Sequence, residues 1–182
     1  MRSAITTLTC ALILLQSVYA IKPTEIEWQN ATGHKPSDPA VEYSLLSFGS
    51  LRAEFSSDLG TVMAGWLKSH PGATVVPVIT REPFNERIPN SKFIFVWLID
   101  HEDNLNVYLV RHGCVAATQM LASFDDQFRS IRDELKLPKN KLHVPQQEYE
   151  KVRTRLFEAE RQAKDERLGI WANPSEANRR DD

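Results

Sequence analysis

The clearest periodicity in the chain lies between residues 57 and 70. Apolar side chains recur there every three or four residues, at Leu59, Val62, Met63, Trp66 and Leu67. This spacing lines one face of an α-helix. We expect Ser57 to cap its first turn, and we expect the helix to end at the Pro71-Gly72 pair.

Two runs rich in β-branched and aromatic residues follow this helix and predict strands. The first, residues 73–79, contains Pro77. Because proline has no N–H group to donate, a sheet edge or a bulge is expected there. The second, FIFVWLI at residues 93–99, is the most apolar run after residue 20 and is typical of a strand buried on both faces.

Two more helices are predicted further along the chain. After a polar turn at 100–103, Asn104 can cap a short helix that Gly113 closes. A longer amphipathic helix begins at about residue 149, and Gly169 should end it, because glycine adopts the left-handed conformation freely. The apolar face of this long helix consists of Tyr149, Val152, Leu156, Ala159 and Ala163.

The N-terminal part of the domain is harder to interpret. Apolar positions predict strands at 25–28 and 41–48 and a third short strand at 51–55. The segment between the first two, residues 30–39, is rich in turn-forming residues and is expected to be a loop.

Two segments nearer the C-terminus complete the prediction. Residues 123–135 favour an additional helix, and residues 173–182 are so polar that we expect a disordered tail. The apolar side of the additional helix consists of Phe124, Phe128, Ile131 and Leu135.

Two of these segments carry a resemblance to a known family. They are LVRHG at 109–113 and YEKVRTRLFEAERQAKDERLGIW at 149–171. Together they resemble the end of the thermonuclease (staphylococcal nuclease-like) family, whose members show an LVR-x-G helix and a long helix ending in LGIW. The resemblance implies an α+β fold, an OB-fold-like five-stranded Greek-key barrel with three family helices. The domain would span residues 21–172, with the helix at 123–135 as an insertion.

The resemblance also implies which residues would carry the family's phosphodiester hydrolysis. In that family two Asp bind Ca²⁺, a Glu positions or activates water, and two Arg contact the phosphate. One Arg, one Asp and the Glu are expected in a pattern R-L-x-x-[IV]-D-[AT]-P-E. The matching segment here is SLLSFGSLR, so Ser44 stands for the Arg, Gly49 for the Asp and Arg52 for the Glu.

The family's second arginine position falls on Phe93, or on Lys92 if the intervening turn is one residue longer. A lysine there can contact a phosphate as a point charge but cannot form a two-pronged contact. The acids before Ser44 do not lie in the D-G-D-like context that the other metal ligand would need; they are Glu25, Glu27, Asp38 and Glu42. We therefore assign no catalytic residue and expect no cofactor, with Ca²⁺ required only if a divergent nuclease site exists.

Other polar residues supply weaker candidates. The turn DHED at 100–103 is the densest group of metal-ligating residue types, although a solvated turn is the alternative interpretation. A basic groove beside aromatic rings would suit single-stranded bases. The candidate metal ligands are Asp100, Glu102 and Asp103. The candidate binding residues are Lys92, Arg52 and Arg111.

Residues 1–20 have the features of a cleaved signal peptide: a basic start at Arg2, an apolar stretch and a small-residue site ending at Ala20. A secreted or periplasmic protein is therefore expected. The chain has 22 Lys and Arg against 24 Asp and Glu, and loss of Arg2 takes its formal charge from −2 to −3. That balance argues against avid non-specific nucleic-acid binding, though not against a local basic patch. Cys114 is then the only cysteine, and its position after an apolar helix end predicts a buried thiol.

Three hypotheses about function follow. The first is an exported thermonuclease-like binding or scaffold module that has lost the nuclease site, with single-stranded nucleic acid or a protein as partner. The second is a divergent metal-dependent nuclease, with acids such as Glu54, Asp58 or those of the 100–103 turn in new places. The third is a structural envelope protein that docks through the additional helix. No integral membrane association is expected, because the apolar run near the N-terminus is shorter than the roughly 20 residues that a span needs.

Overall fold

The computed structural model describes residues 21–47, 56, 58–81, 91–121 and 141–172. Within these ranges the chain forms an α+β fold, a mixed β-sheet accompanied by three α-helices. The helices are α1 (Leu59–Ser69), α2 (Leu105–Arg111) and α3 (Gln146–Asp165). The strands are β1 (Glu27–Gln29), β2 (Thr32–Lys35), β3 (Asp38–Ser44), β4 (Thr74–Arg81), β5 (Lys92–Asp100), β6 (Asp103–Asn104) and β7 (Lys141–Leu142).

The sheet joins strands that are far apart in the sequence. Its order is β1-β2-β3-β5-β4-β7, and β6 pairs with β5. β3 and β5 are parallel, while the other pairings of these strands are antiparallel. The segment that leads into β1 returns to β4, where the N–H of Val75 donates to the carbonyl oxygen of Ile21 at 2.9 Å. This contact is a single bridge, so among the described residues the sheet is not closed into a barrel.

Strand β2 lies where the sequence predicted only a loop, and that prediction was wrong. Asn30 does adopt a left-handed turn conformation, with φ 57°, but extended structure resumes at Thr32. Gly33 is needed for close strand packing, because a Cβ there would lie 2.6 Å from the carbonyl oxygen of Glu27. Gly33 therefore allows two strands to approach each other, whereas the turn-forming residues of its segment had predicted a loop.

The limits of the first and third strands also differ from the prediction. A single 3-10 turn at Pro23–Glu25 delays β1, which begins at Glu27. β3 starts earlier than predicted and ends at Ser44. The apolar residues that follow it, Leu45 and Leu46, are buried without belonging to a strand.

The two apolar runs after α1 form neighbouring antiparallel strands. The register of β4 against β5 shifts between Pro77 and Ile79, which confirms the predicted irregularity at the proline. In β5 the four consecutive residues from Phe95 to Leu98 are each at most 3% exposed. This strand is covered on both faces, as its composition predicted.

Helix α1 has the predicted buried face, and α2 begins and ends at the predicted residues. Asn104 caps α2, since its Oδ1 accepts a hydrogen bond from the N–H of Val107 at 3.2 Å. Gly113 follows in the left-handed conformation with φ 65°. The predicted cap of α1 at Ser57 lies outside the described residues. The buried residues of α1 are Leu59, Met63 and Trp66.

Helix α3 buries the five residues that the sequence predicted, but it ends differently. Arg167, not Gly169, makes the left-handed turn at its end, with φ 55°. The N–H of Arg167 donates to Lys164 O at 3.1 Å, and the N–H of Leu168 donates to Ala163 O at 2.9 Å. These are the paired bonds of a Schellman motif, here with an arginine in the position that glycine usually occupies.

Gly169 has a different role, because it packs on the turn that ends α2. The N–H of Ile170 donates to the carbonyl oxygen of Gly113 at 2.9 Å. A Cβ on Gly113 would overlap the carbonyl oxygen of Leu168, and a Cβ on Gly169 would overlap that of Gly113. The two segments that carry the family resemblance are therefore locked together at their ends.

Several predictions fall outside the described residues: the signal peptide at 1–20, the strand at 51–55, the additional helix at 123–135 and the tail at 173–182. In the part of the chain that the structure describes, we find no helix with the length and apolar character that crossing a membrane requires.

Candidate functional site

Ser44, which the resemblance aligns with a phosphate-binding arginine, is the last residue of β3. It pairs with Thr32 on β2 and with Phe95 on β5, so it lies inside the sheet rather than at its edge. Its side chain is fully buried, and its hydroxyl donates to Leu46 O at 2.9 Å and accepts from Leu46 N–H at 3.0 Å. The hydroxyl thus stabilises the bend after β3 and faces no solvent.

The second arginine position is also occupied by a side chain in the core. Phe93 is 2% exposed and lies opposite Glu42 of β3. Lys92 is half-buried at the start of β5 and lies opposite Val41. Because successive side chains of a strand point to opposite faces, the Lys92 side chain lies on the face opposite to that of Phe93. Of these two positions, only Lys92 presents a cationic group.

The remaining binding candidates do not gather around Lys92. Gly49 and Arg52 lie outside the described residues. Arg111 ends α2, and its Nη2 donates to Glu166 Oε1 at 2.6 Å, which links α2 to the end of α3. Arg111 is thus engaged in an ion pair between two helices.

The acidic turn after β5 has its carboxylates turned to separate partners. Asp100 Oδ1 lies 3.6 Å from His101 Nε2, and Asp103 Oδ2 lies 3.4 Å from Nε2 of His70, which follows α1. Glu102 is exposed. Within the described ranges, no three His, Cys, Asp or Glu side chains are placed so that they could hold a metal ion. This turn and Lys92 also occupy opposite ends of β5, roughly 26 Å apart at 3.3 Å per residue.

A serine–histidine–aspartate chain does occur in the structure, but it is not a nucleophile–base pair. Ser69 Oγ lies 2.9 Å from Nδ1 of His70, whose Nε2 faces Asp103. However, the carbonyl oxygen of Trp66 lies 2.8 Å from the same Nδ1 and 2.9 Å from the hydroxyl. Because a carbonyl oxygen only accepts, Nδ1 carries a hydrogen and cannot take the serine proton. The His70 imidazole also stacks on Trp66, with ring centroids 4.0 Å apart. The side chains of Ser69 and His70 therefore cap the C-terminal end of α1.

Asn106 is a central residue that the sequence did not single out. It is fully buried, and its Nδ2 donates to Leu45 O at 3.0 Å and to Val96 O at 3.3 Å. Its Oδ1 accepts from Leu98 N–H at 3.4 Å. β3 pairs with β5 only as far as Phe95, so the Asn106 amide supplies the hydrogen bonds that β3 would have made beyond that point. The only sequence signal was a polar residue on the apolar face of a short helix.

A row of ionisable residues across β1, β2 and β3 was also missing from the sequence-based prediction. Glu27, His34 and Glu42 pair directly across the three strands, and His34 Nε2 lies 3.7 Å from Glu27 Oε2. Burial raises the pKa of Glu42, and the nearby His34 partly offsets that effect. A carboxyl group with a raised pKa beside a histidine is a common feature of acid–base sites. Here Glu42 lies opposite Phe93 on its other side, so the row runs into the aromatic core.

Cys114 is the buried thiol that the sequence predicted. It is 1% exposed, and burial, with a smaller effect from Asp58, raises the pKa of its thiol to about 11. At neutral pH the group is therefore a protonated thiol, which is a poor nucleophile.

The comparisons with known proteins add no relative. No family model, no curated protein and no solved structure matches the chain.

Proposed function

We propose that this chain is an exported, thermonuclease-like protein with an OB-type frame that has lost the nuclease reaction and acts as a binding module. The ligand class that we favour is single-stranded nucleic acid, with a protein partner as the alternative. No metal or other cofactor is required for this role.

The strand order supports the OB-type frame. Such a frame is a five-stranded, partly open Greek-key barrel that binds oligonucleotides on its strands and loops. β1, β2 and β3 are consecutive and antiparallel, β5 lies parallel to β3, and β4 follows β5 in the order. The bridge between Ile21 and Val75 brings β4 back to the start of β1. The two motif segments at 109–113 and 149–171 pack on each other, as parts of one such domain would.

The observation that carries the proposal is the position of Ser44. A phosphate-binding arginine would have to reach solvent from this position, but the side chain there is fully buried and hydrogen-bonded to Leu46. Phe93, at the other aligned position, is buried as well. Ser44 and Phe93 therefore belong to the packed core, and only the alternative second position, Lys92, has a cationic side chain that is not fully buried.

The test uses the mature chain with a fluorescent single-stranded oligonucleotide of about 15 nucleotides, near the upper end of the site size of one OB domain. We expect binding in fluorescence anisotropy, and we expect no degradation when Ca²⁺ is added. Lys92→Ala should weaken binding and flatten its salt dependence, because one phosphate contact is lost. Lys68→Ala, which removes an equal charge from an exposed position on α1, is the matched control.

The divergent nuclease is the second candidate function, and the raised pKa of Glu42 beside His34 is the observation that favours it. Degradation that EDTA abolishes, and that is lost in Lys92→Ala or Glu42→Gln, would replace the proposed role with this one. If the protein neither binds nor cleaves the oligonucleotide, the binding module and the divergent nuclease are both overturned. The structural role then remains.

A further inference from the structure

The turn between β1 and β2 contains an acceptor sequence for N-linked glycans. Asn30-Ala31-Thr32 has the form Asn-x-Ser/Thr with a residue other than proline in the middle. The chain has one other triplet of this form, Asn173-Pro174-Ser175, and its central proline excludes it. A three-residue motif also occurs by chance, so an acceptor must in addition lie where a bulky, polar glycan can extend into solvent.

Asn30 lies at the tip of a hairpin. Gln29 of β1 pairs with Thr32 of β2, so Asn30 and Ala31 form the turn between the two strands. Ala31 is 3% exposed, and its carbonyl oxygen accepts a hydrogen bond from the N–H of Leu45 at 2.8 Å, which fixes the turn on the domain. Asn30 is exposed and left-handed, with φ 57°, a conformation that asparagine tolerates better than most residues. The turn is therefore anchored through Ala31, while Asn30 stays at the surface.

The surroundings of Asn30 are also open. A Cβ on Gly60 would lie 3.6 Å from Asn30 Oδ1, so the amide is next to the first turn of α1. Gly60 has no side chain to place against the amide, and both Gly60 and Thr61 are exposed. A glycan on Asn30 would therefore leave from an exposed turn beside an exposed part of a helix.

Asn30 lies at the end of β3 that is far from Lys92. Thr32, two residues after Asn30, pairs with Ser44, whereas Lys92 pairs with Val41. These two positions on β3 are roughly 10 Å apart at 3.3 Å per residue. A glycan on Asn30 and a phosphate contact at Lys92 would thus occupy different ends of the strand.

We propose that Asn30 carries an N-linked glycan that is added during export through a eukaryotic secretory pathway. The inference rests on the proposed function in one respect, the export of the chain. The donor is an oligosaccharide linked to a lipid diphosphate. Asn30 Nδ2 forms a bond to the anomeric carbon of the donor sugar, and the bond from that carbon to the diphosphate oxygen breaks. The diphosphate leaves with the electron pair of that bond, and the amide nitrogen gives one proton to a base of the transferring enzyme.

The experiment expresses the full chain in eukaryotic secretory cells in two forms. One form keeps its own residues 1–20, and in the other the leader of a known secreted glycoprotein replaces them. Intact mass spectrometry of protein from the medium, before and after treatment with peptide-N-glycosidase, measures the modification. We expect both forms to lose the mass of one glycan. Because the enzyme leaves an aspartate where the glycan was attached, the treated protein should have the mass of an untreated Asn30→Asp variant.

Two substitutions at position 32 provide the matched comparison. Thr32→Ala should lose the glycan although Asn30 is still present, and Thr32→Ser should keep it, because the acceptor sequence requires a hydroxyl at this position. Both variants should fold, since the Thr32 hydroxyl donates to Gln29 O at 3.5 Å, which is long for a hydrogen bond.

The outcomes separate this site from the proposed function. Secreted wild-type protein without a glycan, or a glycan that persists in Thr32→Ala, overturns the acceptor site alone. If the chain with its own residues 1–20 stays in the cell without a glycan while the form with the replaced leader is secreted, export is overturned, and the site with it. A protein that is glycosylated at Asn30 but does not bind the oligonucleotide overturns the binding role alone.

Discussion

The backbones of Gly113 and Gly169 lie in direct contact where α2 and α3 end. Both residues are left-handed, with φ 65° and φ 54°, and Ile170 N–H donates to Gly113 O at 2.9 Å. A Cβ on Gly169 would also lie 3.0 Å from the carbonyl oxygen of His112. Glycine is required at both positions for two reasons, the left-handed turn and the close approach of two backbones.

This contact predicts that Gly169→Ala destabilises the protein by about 2–4 kcal/mol. An alanine in the left-handed conformation costs about 1–2 kcal/mol, and the overlap with Gly113 adds to that cost. Urea unfolding measures the change. Gly65→Ala is the control, since a Cβ there meets nothing within 4 Å and lies inside α1. It should stabilise the protein by roughly 0.5–1 kcal/mol, and an equal loss in both variants would contradict the close contact.

Asn106 should be far more sensitive to substitution than Asn104, although the two are neighbours in sequence. Asn106→Leu leaves Leu45 O and Val96 O without this donor and Leu98 N–H without this acceptor. At about 1–3 kcal/mol for each buried unsatisfied group, we expect a loss of at least about 3 kcal/mol. Asn104→Ala removes the cap of α2 and should cost about 1 kcal/mol. Similar denaturation midpoints for the two variants would show that the Asn106 amide does not bridge the strands.

An arginine at position 44, where the resemblance would place one, should not be tolerated. Ser44→Arg would place a guanidinium without a partner at a fully buried position, so we expect a loss of more than about 3 kcal/mol or insoluble protein. Lys92→Arg changes a half-buried position at the start of β5 and should stay within about 1 kcal/mol of the wild type. The melting temperatures of the two variants, compared with that of the wild type, test this prediction. A Ser44→Arg protein as stable as the wild type would mean that this side chain reaches solvent.

Cys114 should make stability fall at alkaline pH. Burial raises the pKa of its thiol to about 11, whereas an unfolded thiol titrates near about 8.5. The stability that comes from the protonated thiol is present below the unfolded pKa and is lost as the pH rises towards the folded one. Urea unfolding between about pH 8 and pH 11 should show the wild type losing stability relative to Cys114→Ala. Parallel pH profiles of the two proteins would contradict the burial effect.

Regular local patterns predicted much of the fold. The three- and four-residue spacing of apolar side chains gave α1 and α3 with the right buried faces, because a helix fixes which residues share a face whatever surrounds it. Asn104 and Pro77 were predicted from their own chemistry, as a cap acceptor and as a residue without an N–H group. In the same way, the run at 93–99 predicted a strand buried on both faces, because neither of its faces carries polar side chains that could contact water.

Long-range contacts decided what the sequence left open. Gly33 and Gly169 resemble turn residues in the sequence, but their role is set by the backbones that approach them, Glu27 in one case and Gly113 in the other. Asn106 became a bridge only because β3 leaves β5 next to α2. The row of Glu27, His34 and Glu42 depends on strand register, which one residue of slip would abolish.

The sequence by itself determined helices α1, α2 and α3 and the most buried strand. Only the tertiary structure decided that Ser44 and Phe93 face the core and that Gly113 and Gly169 meet where α2 and α3 end. The reason is physical: periodicity and capping act over a few neighbouring residues, whereas burial and proximity depend on which distant segments pack together.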